Sequence, residues 1–223
     1  MKRLAWLLTG ILLLSGCGGD QLLSPLAPDA VILAFGDSLT AGNGAPADGS
    51  YPAQLSRLIN RNVVNAGVSG EESGQGRARL ERLLDQHRPR LLILCHGGND
   101  LLRKRPVSEL EGNLRAMISM AQSRGIEVLL LGVPAPGIFL NSEDVYETVA
   151  DATGIAFIPE VIADVLSQPS KKSDTVHPNA AGYAEIAGTI ASELKDFGAI
   201  HFGLPSEDRL DQSIRDFISL GKQ

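Results

Sequence analysis

Four polar clusters, three of them containing glycine, hold most of the residues in this chain that could do chemistry. They are Gly36-Asp37-Ser38-Leu39-Thr40, Asn65-Ala66-Gly67-Val68-Ser69-Gly70-Glu71, Gly97-Gly98-Asn99-Asp100 and Asp174-Thr175-Val176-His177-Pro178-Asn179. A serine hydroxyl is a weak nucleophile until a base takes its proton. An aspartate three residues before a histidine is suited to supply that base. Asp174 can accept from one imidazole nitrogen and leave the other free to face Ser38. Gly70 can present its backbone N–H without steric hindrance, and Asn99 offers a side-chain N–H after two glycines. With the Ser38 N–H these make three donors for an oxyanion, and losing one such donor typically costs roughly 10²–10³ in rate. The chemistry on offer is acyl transfer. Each cluster also has a plain reading: Gly-Asp-Ser is a common turn whose serine caps a helix, and His177 alone is an ordinary surface histidine. Only a fold that brings the clusters together decides between the two.

The rest of the sequence supplies such a fold. Val31 to Phe35, Val63-Val64, Leu91 to Cys95, Val128 to Leu131 and Ala156 to Ile158 are short apolar runs that read as five strands. Helical spacing separates them over Pro52 to Ile59, Arg79 to Gln86, Ser108 to Arg124 and Glu143 to Thr153, and a long helix follows over Ala180 to Phe197. Leu110, Leu114, Met117, Ile118 and Ala121 form the stripe of the third helix, which Gly125 stops. Asn179 is placed to cap the last one. Strands that are apolar throughout are buried on both faces, so the class is α/β with a mainly parallel sheet covered on two sides. Ligands in such sheets collect beyond the C-terminal ends of the strands, where the clusters fall. Two further segments there, Gly42 to Ser50 and Gly132 to Asn141, are expected to shape a pocket. Within the second, Ile138, Phe139 and Leu140 either line an apolar channel for an acyl chain or pack beneath the loop.

Taken together and in this order, the clusters resemble those of the SGNH hydrolases, the GDSL esterase/lipase family. The resemblance covers about residues 30 to 197. Gly36-Asp37-Ser38-Leu39 matches the first block, Gly70 the second-block glycine, Asn99 the third-block asparagine, and Asp174 with His177 the final Asp-x-x-His. It implies Ser38 as nucleophile, His177 as base, Asp174 as its orienting carboxylate, and Ser38, Gly70 and Asn99 as the oxyanion hole. The similarity to the bacterial thioesterase I, arylesterase and lysophospholipase branch implies a flavodoxin-like three-layer α/β/α sandwich with a mainly parallel five-stranded sheet. The activity implied is hydrolysis of carboxylic esters or thioesters of acyl or aryl type, lysophospholipids included. Two other readings stay open: removal of O-acetyl groups from peptidoglycan or envelope polysaccharide, and a non-catalytic envelope lipoprotein that binds through the same fold. His96 departs from the pattern, since an apolar or small residue is expected at that strand end; it is assigned to packing or to a loop hydrogen bond. Asp37 and Asp100 read as turn-stabilising carboxylates. No Gly-x-Ser-x-Gly elbow of the α/β-hydrolase kind surrounds Ser38 or Ser69.

Composition bounds the remaining possibilities. The 223 residues suffice for one domain with a single core. A net charge of −6 without a basic patch argues against a nucleic-acid partner. His87, His96, His177 and His201 are scattered and the cysteines are only Cys17 and Cys95, so no metal, cofactor or disulfide is expected. Cys95 closes an apolar run and reads as a core residue. At the N-terminus, Lys2 and Arg3 precede an apolar run from Leu4 to Leu14. Eleven helical residues span only roughly 16 Å, about half of a bilayer's hydrocarbon core. The run therefore reads as an export signal over 1–16. Leu14-Ser15-Gly16-Cys17 resembles a bacterial lipobox with Cys17 as the lipidated residue, bearing palmitate or a similar acyl chain, and ordinary secretion is the alternative. Gly18 after the cysteine implies the outer membrane, facing the periplasm. Residues 17–29 read as a tether and 30–223 as the hydrolase domain, with a helical extension from about 198 whose amphipathic stretch runs from Ser206 to Leu220. The sequence leaves the oligomeric state open.

Overall fold

The computed structural model describes residues 22–135, 137 and 142–200. The export signal, Cys17, the side chains of Ile138, Phe139 and Leu140, and the expected C-terminal helix lie outside the described residues. The five strands are β1 (Val31–Gly36), β2 (Asn62–Gly67), β3 (Leu91–Cys95), β4 (Glu127–Leu131) and β5 (Ala156–Ile158). They form one sheet in the order β2-β1-β3-β4-β5, and every neighbouring pair is parallel. The sheet is thus wholly parallel, where the sequence pattern had specified it only as mainly so.

Burial follows the apolar runs. All five residues of β3 are buried, as are the last five of β1 and the last four of β4. The edge strands differ: β2 is only partly covered and carries Asn62 and Asn65, and β5 has three residues. A polar or short edge resists pairing with another chain. The longer helices are α2 (Tyr51–Ile59), α3 (Ser73–His87), α5 (Val107–Gln122), α6 (Asp144–Thr153) and α8 (Ala180–Asp196); α1 (Ser38–Ala41), α4 (Gly98–Leu102) and α7 (Val161–Leu166) are short. Helices α2 and α7 pack on α8, and α3 and α6 pack on α5, one group for each face of the sheet. The five stripe residues expected for α5 are all buried. Asn179 caps α8, its side-chain oxygen accepting from the amides of Ala181 and Gly182 at 3.0 and 3.1 Å.

Two expectations change. Helix α3 starts six residues earlier than its apolar pattern indicates, because Gly74 and Gly76 dilute the pattern of its first turns. Its true start is fixed by a capping box in which Glu72 and Gln75 satisfy each other's backbone amides. The stretch 22–29, expected as part of a free tether, instead lies on the body. Leu23 and Leu26 are buried. Their amides donate to the carbonyls of Phe197 and Ala199 just beyond α8, and the Ser24 amide donates to the Glu127 carboxylate at the start of β4. Their apolar side chains have a groove to fill, and the prolines at 25 and 28 hide that.

The close approach of β1 to β3 at their shared end rests on Gly36. A Cβ at this position would lie 1.9 Å from the carbonyl oxygen of Cys95 and 2.4 Å from Thr40 Oγ1. The backbone oxygen of a central strand cannot step aside cheaply. Gly36→Ala is therefore expected to lower the unfolding free energy by about 1–3 kcal/mol or more in a urea titration; a change within 0.5 kcal/mol, on the order of a neutral surface substitution, would contradict this account of the strand packing.

Candidate active site

All four chemistry-bearing clusters lie at the C-terminal edge of the sheet. Ser38 is the first residue of α1, directly after β1. Asp37 caps that short helix, its Oδ1 accepting from the Leu39 amide at 3.0 Å. Burial pushes the Asp37 carboxyl above its ordinary range. The turn from buried strand to helix is tight, so it holds Ser38 at the edge of the sheet.

Ser38 Oγ lies 3.0 Å from His177 Nε2, although 139 residues separate the two in the chain. On the other side of the ring, His177 Nδ1 lies 2.8 Å from Asp174 Oδ2. The Asp174 Oδ1 accepts from the backbone amides of Val176 and His177, each at 2.8 Å. Desolvation raises the Asp174 carboxyl, but hydrogen bonds from the His177 ring and from these two amides outweigh it and hold the group below its ordinary value. An ionised carboxylate only accepts, so Nδ1 carries the proton and Nε2 presents its lone pair to the serine hydroxyl. That tautomer is the one a base toward Ser38 needs.

Gly70 follows β2 on an exposed loop with φ of +79°, a conformation that disfavours any side chain. Its carbonyl accepts from Arg103 Nη1 at 3.2 Å. Asn99 is the second residue of α4; one of its amide hydrogens goes to the carbonyl of Glu71 at 3.0 Å, which leaves the second available. Ser38, Gly70, Asn99 and His177 line one cavity of about 270 Å³. Asn43, from the first of the two variable segments, and Val133 and Pro134, from the second, share its wall. Leu102, Leu166 and Lys172 also line it and are not among the residues expected from the sequence. Leu102 could have been found, since it ends the helix that carries Asn99. Lys172 lies five residues before His177, but nothing in the sequence pattern marks it.

Several neighbours act as scaffold. Asp100 is buried and accepts from the Ser73 amide and hydroxyl at 2.8 and 2.6 Å, so it ties α4 to the start of α3. Cys95 is wholly buried, and burial raises its thiol well above the ordinary value. A thiol so protonated is no nucleophile. His96 is also wholly buried, with Nε2 3.1 Å from Glu71 Oε2, so it bonds a loop as the sequence reading allowed. Glu71 in turn takes a two-pronged pair from Arg79, whose Nε and Nη2 donate to Oε1 and Oε2 at 2.6 Å each. Nothing in the sequence marks this carboxylate for that role; burial cannot be seen from a lone glutamate in a polar loop.

Comparison with known proteins gives a consistent picture. Residues 34–185 match the GDSL-like Lipase/Acylhydrolase family. An arylesterase of Vibrio mimicus is 32% identical over 174 residues, covering 73% of this chain and 87% of the relative. The Escherichia coli protein named thioesterase 1/protease 1/lysophospholipase L1 is 32% identical over 172 residues, covering 74% and 83%. The crystal structure of TesA superposes with a TM-score of 0.69 at 31% identity, over 75% of this chain and 99% of that one.

The Glu71 site makes a prediction about acid. Burial raises its carboxyl, yet the hydrogen bonds and charges of His96 and Arg79 bring it below the ordinary 4.5. A carboxyl depressed in the folded state stabilises fully above its unfolded value, and that contribution is lost as pH falls through the folded value. The melting temperature of the wild type is expected to fall below about pH 4.5, the unfolded carboxyl value, with a shallower fall in Glu71→Gln. Parallel melting curves for the two proteins between pH 6 and 3 would contradict the assignment.

Proposed function

The chain belongs to the GDSL-like lipase/acylhydrolase family and is a serine ester hydrolase, and we propose that Ser38, His177 and Asp174 carry its chemistry. The observation behind this reading is the unbroken contact from Ser38 Oγ to His177 Nε2 at 3.0 Å and from His177 Nδ1 to Asp174 at 2.8 Å. His177 Nε2 takes the hydroxyl proton as Ser38 Oγ bonds to the ester carbonyl carbon. The carbonyl oxygen takes up the negative charge, facing the amides of Ser38 and Gly70 and the free hydrogen of the Asn99 side chain. The carbon–oxygen bond to the leaving group then breaks, and the imidazolium returns its proton to the departing alcohol. Water repeats the sequence on the acyl-serine. Asp174 holds the ring in the working tautomer and balances its transient charge.

The substrate reading is a carboxylic ester with a short acyl or aryl group. A cavity of about 270 Å³ sits just below the roughly 300–1,000 Å³ usual for pockets that enclose a drug-sized ligand. The names of the relatives, arylesterase and thioesterase 1/protease 1/lysophospholipase L1, also fit ester and thioester substrates. The small cavity equally favours a second reading, removal of O-acetyl groups from envelope glycans. Ser38→Ala is expected to lower p-nitrophenyl acetate hydrolysis by at least about 10³-fold and to abolish fluorophosphonate labelling. In the wild type, kcat/KM is expected to fall from acetyl and butyryl toward palmitoyl esters. Labelling that survives in Ser38→Ala would refute the nucleophile, a palmitoyl optimum would refute the short-chain reading, and strict acetyl preference would select the glycan reading.

We also infer that Cys17 is lipidated and anchors the domain in the bacterial envelope, at the outer membrane facing the periplasm. The lipobox-like Leu14-Ser15-Gly16-Cys17 supports this. The chain meets the body at Leu23 and Ser24, beside the start of β4, which is the opposite pole from the active site. Residues 17–21 reach at most about 17 Å when extended, and a domain of this size is roughly 40 Å across. An anchor so placed holds the cavity away from its own leaflet, which favours esters arriving from the aqueous side. Cys17→Ser is expected to move the protein from the membrane fraction to the soluble fraction of the envelope; retention in the membrane would remove the anchor reading.

A further inference from the structure

We propose that Glu71, with Arg79 and His96, forms a buried positioning cluster that sets the geometry of the oxyanion hole. This rests on the assignment of the Ser38 and Gly70 amides and the Asn99 side chain as that hole.

The cluster sits where the three donor-bearing segments meet. The Glu71 carboxylate is buried, with the residue 7% exposed. Arg79 reaches it from α3 with the two-pronged pair already described, and the same Nη2 also donates to the carbonyls of Gly36 at 3.2 Å and Ala66 at 2.9 Å. Gly36 ends β1 two residues before Ser38, and Ala66 lies near the end of β2, four residues before Gly70. His96 follows β3 directly and precedes Asn99 by three residues. One guanidinium and one carboxylate therefore tie together the ends of all three strands whose loops carry the donors.

Two contacts join the cluster to the donors themselves. Glu71 is the residue next to Gly70, so fixing its side chain fixes the peptide that follows the Gly70 amide. The Glu71 carbonyl accepts one hydrogen of Asn99 Nδ2 at 3.0 Å, which aims the second hydrogen. A planar fork such as guanidinium against carboxylate sets orientation as well as distance. Lysine or a neutral amide could not reproduce it.

The surroundings are fitted to the cluster. The Arg79 guanidinium lies 4.1 Å from the centre of the Phe35 ring, and the His96 ring is tilted against the same phenyl with centroids 5.8 Å apart. Gly76 leaves room for the imidazole, since a Cβ there would lie 2.3 Å from His96 Nε2. With an ionised Glu71 as acceptor, Nε2 of His96 carries the proton. Its Nδ1 is buried without a hydrogen-bond partner among the described residues. The imidazole is thus held by a single bond, to the carboxylate oxygen that Arg79 Nη2 also contacts. Nothing in this set touches the cavity where substrate would sit, so these are positioning residues.

A double-mutant cycle on p-nitrophenyl acetate hydrolysis tests the proposal. Asn99→Ala alone should lower kcat by roughly 10²–10³-fold if the oxyanion assignment is right. Glu71→Gln alone should lower kcat about 10–100-fold with KM changed less than about twofold, because a misaimed donor costs less than a missing one. In the Asn99→Ala background the same Glu71→Gln change should cost only about threefold, the part carried by the Ser38 and Gly70 amides, since residues acting through one another are not additive. Unchanged kcat in Asn99→Ala would sink the oxyanion assignment itself. A full loss in Asn99→Ala, with Glu71→Gln either harmless or equally costly in both backgrounds, would overturn the positioning role alone. An effect of Glu71→Gln confined to KM would overturn it too. If circular dichroism shows Glu71→Gln to be unfolded, Arg79→Lys replaces it in the cycle. That variant keeps the positive charge, loses the fork, and must give the same non-additive pattern for the proposal to stand.

Discussion

A parallel sheet whose central strands are apolar on both faces constrains everything else in this molecule. Leu91–Cys95 cannot meet water on either side, so each face needs helices, and each helix must carry the chain back to begin the next strand in the same direction. Every return loop then starts at one edge. That is how Ser38 and His177, 139 residues apart in the chain, come within 3.0 Å. It is also why Gly70 and Asn99, from two other loops, line the same cavity. The active-site arrangement is a consequence of strand direction, and the short turns then refine it.

That shared edge creates an electrostatic difficulty. Loops carrying hydrogen-bond donors must stay fixed above strand ends where the regular ladder stops. Arg79 resolves part of it by donating to the carbonyls of Gly36 and Ala66 while pairing with Glu71. Burying such a pair gains little stability against an apolar substitute, because desolvation offsets the attraction, whereas removing one partner typically costs about 3–5 kcal/mol. A pair of this kind is better explained by the single arrangement it enforces. Its place under the donor loops makes that arrangement matter for chemistry.

The sequence disclosed these layers unequally. The sequence bounds β3 to the residue, because an apolar run between Arg90 and His96 has sharp ends; β5 also matches, stopped by Pro159. The polar clusters were visible for the same reason: glycine, serine and asparagine stand out after such a run. Helix α3 was located but begun late, since Gly74 and Gly76 look like a loop and the reason for Gly76, room for His96, is a tertiary contact. Leu23 and Leu26 looked like tether because only the folded body offers the surface that buries them. Glu71 was the largest gap. Its spacing to Arg79, eight residues, matches no local pairing pattern, and its other partner, His96, arrives from the end of β3.

The contrast between the two carboxylates then separates holding from reacting. The Asp174 side chain is 54% exposed, whereas that of Glu71 is 7% exposed. In water-rich surroundings a carboxylate gains little from a charge partner, so Asp174 serves His177 by geometry: two backbone amides fix one oxygen and the other meets the ring. As the proposed base, a histidine that gains and loses a proton at each turnover is better served by such a partner, because neither state is trapped. Glu71 faces the opposite demand. Its partners do not exchange protons in the cycle, so a buried, tightly paired ion can lock them in one arrangement. Exposure where charge must change and burial where it must not is the division of labour that the fold places on either side of Ser38.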